Sequence, residues 1–555
     1  MNDNSLAYLD CSLNQINRIL SNMDRNKFSP TYGCMHRDYW MYKTSDFPDA
    51  VRQFGVHALA LVYKYDLPNN IFYKNKKILS WAIAALEFWS SIQHNDGSFD
   101  EFYPNERGWV GPTAFTTYTS IESYNLLQEF MSDDQRKKIL KAIKQSSLFI
   151  CKGESEEDHL ANHHAMACLA IWKSYMLFNE QFFLESYNNA FKKFLNYHES
   201  TEGWSREYDG IDPGYLSATI SFLGKIYKEN KDKRILEVCS KSIEMCSYFV
   251  YPNGFFAGSM GSRNTLHFYS HGFEIFSEFV PLSKSIKSFF LNSLGNGGLV
   301  PPSIMSDRYL AYRVPELILS YIDYHSVNNK HFSDLPFQYN NFQKFFYNSK
   351  IFVKSTAKYY LIINLAKGGV IKLFNKKNDK LILNDCGAIG MLNDGRSVTS
   401  QWIDSSYDIK VDNNELSIKG NFNSIPSNKY FNPIKMIIFR IFLILFGWKT
   451  SWANKIKGII RKTLMLGSRN INMQFIRNIK FEVSSITISD TFKKDHKLFI
   501  SNLSIGDEFF VRYVPQSRFF QNYELTINSY DLTIDEINNF NKSNYYKKTN
   551  FIELN

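Results

Sequence analysis

Ile78-Leu-Ser-Trp-Ala-Ile-Ala-Ala-Leu-Glu-Phe-Trp89 repeats its apolar side chains at a spacing near 3.6 residues, the signature of a helix. The same period returns in Val56-His-Ala-Leu-Ala-Leu-Val-Tyr63 and from Leu216 to Tyr227. Between such stretches lie turn formers: His94-Asn-Asp-Gly-Ser98, Tyr103-Pro-Asn105, Asp209-Gly-Ile-Asp-Pro-Gly214 and Tyr251-Pro-Asn-Gly254. Their spacing of one or two helix lengths predicts stacked helical hairpins from about residue 45 to 325. No consensus period is visible, which argues against a short-repeat solenoid.

After about residue 345 the period changes to two. Lys350-Ile-Phe-Val-Lys354, Tyr359-Tyr-Leu-Ile-Ile-Asn-Leu365, Gly369-Val-Ile-Lys-Leu-Phe374, Tyr407-Asp-Ile-Lys-Val411 and Ile486-Thr-Ile-Ser489 read as strands of a β-sandwich. Helices first and strands second predict an α+β multidomain chain, divided as 1–340 and 341–555. The length, 555 residues, exceeds one core, and 44% hydrophobic with 21% charged residues excludes bulk disorder and low complexity. Aromatic residues are high at 16%, a content that suits large cores first and ring-stacking surfaces second.

The net charge of +10 is unevenly placed. From Leu416 to Phe481 there are eight Lys, four Arg and no acid, so this stretch carries +12 and the remainder −2. Within it, Pro433-Ile-Lys-Met-Ile-Ile-Phe-Arg-Ile-Phe-Leu-Ile-Leu-Phe-Gly447, Trp448-Lys-Thr-Ser-Trp452 and Lys455-Ile-Lys-Gly-Ile-Ile-Arg-Lys-Thr-Leu464 predict a basic amphipathic helical pair, an insert spanning 431–466. Its apolar run is short of the roughly 20 residues that cross a bilayer. Two uses fit: packing of the apolar stripe on another domain, or docking of 433–464 on an anionic membrane surface. Nucleic acid is not expected, because the cations accompany aliphatic side chains rather than groups that read phosphates and bases. Strands are expected to resume near Asn472.

Seven scattered cysteines without a Cys-x-x-Cys pair fit a reduced compartment, and Met1-Asn-Asp-Asn-Ser-Leu-Ala-Tyr8 lacks the basic and apolar regions of a secretory signal. A cytoplasmic protein, peripheral at the inner membrane face, is the expectation.

Polar residues suited to chemistry gather in four places, all in the helical half; the β half holds one histidine, His496. These are Tyr32-Gly-Cys-Met-His-Arg-Asp-Tyr-Trp40, Ala161-Asn-His-His-Ala165, Trp204-Ser-Arg-Glu-Tyr-Asp-Gly-Ile-Asp-Pro-Gly-Tyr215 and Gly261-Ser-Arg-Asn-Thr-Leu-His-Phe-Tyr-Ser-His271. Asn162 has helix capping as its structural alternative, His163 and His164 have core packing, and Asp212 before Pro213 reads as a turn and helix start. Arg263 has an ion pair with a buried acid as its alternative. His267 and His271, four apart, would share a helix face and an ion, but with no third ligand in view no metal is expected, and no cofactor.

The Asn-His at a helix start, Tyr208-Asp-Gly-Ile-Asp-Pro-Gly-Tyr215, Gly261-Ser-Arg-Asn264 and the strand-rich tail together resemble the heparinase II/III-like polysaccharide lyases. Thr399-Ser-Gln-Trp402, Val514-Pro-Gln-Ser-Arg-Phe-Phe-Gln521 and the basic insert are similar to members associated with bacterial capsule or O-antigen synthesis. The resemblance implies an N-terminal (α/α) toroid followed by a C-terminal antiparallel β-sandwich. It implies a carbon–oxygen lyase that cleaves a uronic-acid-containing polysaccharide by abstracting the C5 proton. Asn162, with Arg263 or His163, would neutralise the uronate carboxylate. Tyr208, Tyr215, His267 and His271 would be the candidate acid and base, and Arg206, His164 and Asn264 would bind the acidic polysaccharide or lipid-linked glycan. Two alternatives share these residues: a uronate C5-epimerase, which returns the proton from the opposite face, and a non-catalytic glycan-binding scaffold at the membrane.

Overall fold

The computed structural model describes residues 5–107, 110–153, 159–325, 332–404, 406–425, 432–461, 469–482, 485–506, 519–520, 525 and 529–554. Of the 514–521 motif only Phe519 and Phe520 fall among them, and 431 and 462–466 of the insert lie outside them.

Six inner helices form a closed ring: Val56–Lys64, Val110–Leu127, Ala161–Phe178, Pro213–Asn230, His271–Phe276 and Asp307–Ile322 each pack on the next, and the last packs on the first. Each is backed by an outer helix, in turn Lys76–Ser91, Asp133–Cys151, Gln181–Leu195, Lys233–Ser247, Pro281–Gly295 and, for the last, the N-terminal Leu6–Leu13. The arrangement is an (α/α) toroid. The inner helices are buried on nearly every side, as in Ala161–Phe178, whose first fourteen residues include one, His163, that is not buried. The outer helices are amphipathic, so their single apolar stripe settles on the inner ring.

One crossing in the ring is set by glycine. A Cβ on Gly272 would stand 2.6 Å from Ser221 Cα and 2.7 Å from the Ile220 carbonyl carbon, which is backbone that cannot move aside. The helical hairpins predicted for 45–325 are therefore present, but the helices begin at Leu6, and a small antiparallel sheet of His198–Glu199, Trp204–Glu207 and Gly210–Ile211 interrupts them.

The C-terminal half is antiparallel throughout its described strands. A five-stranded meander runs from Asn341–Phe346 through Ile351–Thr356, Tyr359–Asn364 and Val370–Asn375 to Lys380–Asp385. It packs on a second sheet in which Glu415–Ser424, Asn470–Phe481, Ser485–Lys494 and Tyr545–Glu553 are successive neighbours. Phe352 and Phe481 stack across the two sheets with centroids 5.5 Å apart. The basic insert leaves after Ser424 and returns at Asn470, between two paired strands, so it is an excursion from one hairpin of the sandwich.

Gly272→Ala is expected to lower stability by about 3 kcal/mol, because overpacking against backbone cannot be relieved by a rotamer change. Thermal unfolding followed by circular dichroism checks this; an unchanged melting temperature would show that the ring adjusts at this crossing.

Candidate active site

The start of the Ala161–Phe178 helix meets the small sheet through a bridge between Leu160 and Glu207. Glu207 is fully buried there. Its two carboxyl oxygens accept from the Asn162 backbone N–H at 2.7 Å and from Asn162 Nδ2 at 2.8 Å. Asn162 is thus not the helix cap: Leu160 occupies that position, and the Asn162 amide is held by a carboxyl group 45 residues away. Burial pushes the Glu207 carboxyl up to about 8, with the two donors and Arg263 opposing and Asp212 reinforcing the shift.

Tyr208 follows with φ at +61°, a left-handed conformation that is costly for a bulky residue. Its N–H donates to the His159 carbonyl at 2.6 Å, and Arg206 Nε donates to the Tyr208 carbonyl at 3.0 Å. The Arg263 guanidinium lies over the Tyr208 ring, 3.9 Å from its centroid. Asp212 caps the Pro213–Asn230 helix, accepting from the Tyr215 N–H at 3.3 Å, and its other oxygen accepts from the Arg263 N–H at 2.9 Å. The turn reading of Asp212 holds, and the same carboxylate also ties the tyrosine turn to the arginine loop. Gly261 is needed at this junction, since a Cβ would lie 2.6 Å from Asp212 Oδ2.

Tyr215 reaches the Asp307–Ile322 helix, its hydroxyl 3.3 Å from that of Tyr309. Burial raises Tyr215 well above the usual phenol value, and Tyr309 adds to the shift. His267 stands edge-on to Tyr215, with centroids 5.8 Å apart, and its ring is 5.1 Å from that of Tyr309. Neither ring nitrogen of His267 has a hydrogen-bond partner among the described residues. Burial and then the Arg313 charge drive its pKa well below the ordinary value, so the imidazole is neutral. Arg313 itself lies buried over the Tyr269 ring at 4.7 Å.

The sandwich completes the loop. Lys367 Nζ donates to the carbonyls of Ser259 at 2.8 Å and Gly261 at 2.7 Å and to Asn264 Oδ1 at 2.5 Å, while Asn364 Nδ2 donates to the Met260 carbonyl at 2.8 Å. Phe519 packs on Tyr309. Ile403, next to Thr399-Ser-Gln-Trp402, is packed against Gly210.

The structure brings Asn162, Tyr208, Tyr215, Arg263 and His267 into one neighbourhood through these contacts. His271 does not join them: its Nε2 is 2.7 Å from Asp323 Oδ2, in the interior network where Lys225 Nζ meets Glu316 at 2.8 Å. Nor do His267 and His271 share a helix face, because the helix begins only at His271. The shared-ion geometry is lost for that reason. Asn264 has its oxygen committed to Lys367, and Arg206 is exposed and braces the Tyr208 carbonyl, so the first is a loop pin and the second a turn brace. His163 and His164 line a separate cavity of about 250 Å³ with Lys152 and Lys193, where His164 stacks on Tyr197 at 4.7 Å. His496 is exposed beside Asp495.

Sequence reasoning missed Glu207, Tyr309, Arg313 and Lys367. Glu207 sits in one of the four polar clusters, but nothing local distinguishes an acid destined for burial. Asp307-Arg-Tyr-Leu-Ala-Tyr-Arg313, dense in rings and cations at a helix start, was the available signal for Tyr309 and Arg313.

Asn162, Tyr215 and Tyr309 all stand in the first turn of an inner helix, and Arg263 and His267 lie in the loop that leads into another. The positive ends of these helix dipoles and the Arg263 guanidinium add positive potential at this end of the ring, which favours an anionic ligand.

Residues 70–272 match the family model described as the ulvan lyase N-terminal domain, a span that contains every candidate catalytic residue named from the sequence. The xanthan lyase of Paenibacillus is similar in structure over 91% of this chain, with a TM-score of 0.53 at 10% identity. The chondroitin AC lyase of Streptomyces coelicolor, solved with chondroitin sulphate, is similar over 91% with a TM-score of 0.54 at 7% identity. A heparinase III is more distant, with a TM-score of 0.45, 12% identity and coverage of 89% of this chain and 71% of its own. This chain spans 46% of the xanthan lyase and 68% of the chondroitin AC lyase. No curated protein sequence matches it. The fold is that of the polysaccharide lyases built from an (α/α) toroid and an antiparallel β-sandwich, as the heparinase II/III-like resemblance implied.

A carboxyl raised by burial stabilises the fold while protonated, fully below its unfolded value near ~4.3, and the contribution is lost as pH rises through the folded value. The melting temperature of the wild type is therefore expected to fall more steeply between about pH 5 and pH 8 than that of Glu207→Gln, which cannot ionise. Parallel pH profiles for the two proteins would contradict a buried neutral Glu207.

Proposed function

We propose that the protein is a polysaccharide lyase acting on a uronate-containing polymer, with the Asn162–Tyr215–Arg263 neighbourhood as its catalytic centre. The observation that carries the proposal is the pairing of two phenol hydroxyls, Tyr215 and Tyr309 at 3.3 Å, beside an arginine and a clamped asparagine amide at helix N-termini. β-Elimination needs both parts. As the C5 proton leaves, charge spreads onto the neighbouring carboxylate, and Arg263 with the remaining Asn162 N–H would stabilise it. Tyr215, as the phenolate, takes the C5 proton; the C5–H electron pair forms the C4–C5 double bond, the C4–O4 bond breaks with its electron pair going to O4, and the Tyr215 hydroxyl so formed gives its proton to O4. Tyr215 is assigned the proton transfer and Tyr309 the hydroxyl that shares its proton. Arg263 supports this directly, since a nearby cation favours the phenolate that burial otherwise opposes. His267, neutral and 5.8 Å from the Tyr215 ring, suits the same step because it adds no competing charge.

The substrate class is supported by the chondroitin sulphate bound to the Streptomyces coelicolor chondroitin AC lyase and by the positive potential described above. C5 epimerisation uses the same proton abstraction without expulsion of O4, and one assay separates the two. Purified protein is incubated with uronate polymers in deuterated water while absorbance near ~232 nm, from the unsaturated product, and deuterium at C5 are followed. Absorbance is expected to rise; deuterium uptake without it would convert the assignment to an epimerase. Tyr215→Phe is expected to lower kcat by about 100-fold or more with little change in KM, and Tyr309→Phe by about tenfold. An unaffected kcat in Tyr215→Phe would remove this residue from the proton transfer.

A further inference from the structure

The insert forms two helices, Pro433–Phe446 and Thr450–Arg461, joined by Gly447, Trp448 and Lys449. One face of the first helix is fastened to the toroid. Leu443 is buried, its carbonyl accepts from Asn105 Nδ2 at 3.2 Å, Phe439 packs edge-on to Tyr103 at 5.5 Å, and Arg440 pairs with Asp46 at 3.2 Å. These contacts fix how the hairpin points. The opposite face has no partner among the described residues: Ile434, Ile437, Ile438, Ile441, Ile444 and Leu445 are each more than half exposed. An exposed aliphatic surface of this extent on a soluble fold marks an interaction site.

Its charge identifies the occupant. Lys435, Lys449 and Lys455 are exposed, and none is ion-paired among the described residues; Lys449 and Lys455 lie over the rings of Trp448 and Trp452, at 5.0 and 5.2 Å. No acid occurs from Leu416 to Phe481 to offset them. A second copy docking face to face would set lysine against lysine. An anionic bilayer instead offers phosphates to the lysines, acyl chains to the isoleucines and a headgroup zone to the two indoles. At 1.5 Å per residue the helices are about 21 and 18 Å long, short of the ~30 Å hydrocarbon core. No described helix is long and apolar enough to cross a membrane.

We infer that this hairpin docks the protein in the interface of an anionic phospholipid bilayer, lying in the surface without spanning it. The platform beneath it leads to the candidate site: the 100–106 turn that carries Tyr103 and Asn105 also carries Glu101, which pairs with Arg308, next to Tyr309. Docking therefore sets that side of the toroid close to the lipid surface. The inference does not depend on the chemistry proposed above.

The test is co-sedimentation of the full chain with vesicles of phosphatidylcholine alone or mixed with phosphatidylglycerol. Binding to the mixed vesicles is expected to be at least about tenfold tighter, to weaken as salt is raised, and to be lost in Ile437→Asp/Ile441→Asp, whose substitutions lie on exposed positions. Circular dichroism establishes that the variant is folded. As a second measurement on the otherwise unaltered chain, brominated lipid should quench tryptophan emission, and Trp448→Phe/Trp452→Phe should abolish that quenching. Equal binding by wild type and the folded aspartate variant, or no quenching, overturns the inference. So does sedimentation equilibrium showing a dimer that the aspartate substitutions dissociate without any vesicle binding, since the face would then be a contact between copies.

Discussion

A buried ammonium joins the two halves of this molecule. Lys367 leaves the sandwich and ends among two carbonyls and an amide oxygen of the Ser259–Asn264 segment. A cation placed there costs desolvation, which is offset only if its donors are all used, so the loop is drawn into a shape that surrounds it. Gly261 and Asp212 then meet without room for a Cβ, Asp212 receives the Arg263 N–H, and Arg263 is laid on the Tyr208 ring. The candidate centre is thus a product of the domain junction.

The toroid supplies the other half of the constraint. Each inner helix is followed by an outer one that returns the chain, so successive inner helices begin at the same end of the ring. Their first turns gather the positive ends of the helix dipoles and the residues of the candidate centre in one place, and the positive potential there favours an anion. Deeper in the ring the polar groups serve one another. Lys225 pairs with Glu316 and His271 with Asp323, and the Glu316 carboxyl, despite burial, is brought down to about 2 by Lys225 and His271. His271 is engaged in this interior network, away from the Tyr215–Tyr309 pair.

The insert obeys a separate logic. It leaves between strands that are paired neighbours, so the sandwich closes without it, and its exposed aliphatic face makes no contribution to the core. What retains it against the toroid is a short set of contacts with Asp46, Tyr103 and Asn105.

The sequence by itself determined the order of helices and strands, the place of the insert and the positions of the polar clusters, because periodicity, turn residues and charge counts are local properties. Asp212-Pro213 announced a helix start, and a helix starts there. It also drew attention to Asn162, Tyr208, Tyr215, Arg263 and His267. Only the tertiary structure decided what those residues touch. Glu207 lies 45 residues from Asn162, Tyr309 lies 94 from Tyr215 and Lys367 lies 103 from Asn264, distances over which no pattern in the chain carries information. His267 and His271 show the same limit at short range: a spacing of four implies a shared face only if both residues are helical, and the packing that starts the helix at His271 is settled by Gly272 against the neighbouring inner helix.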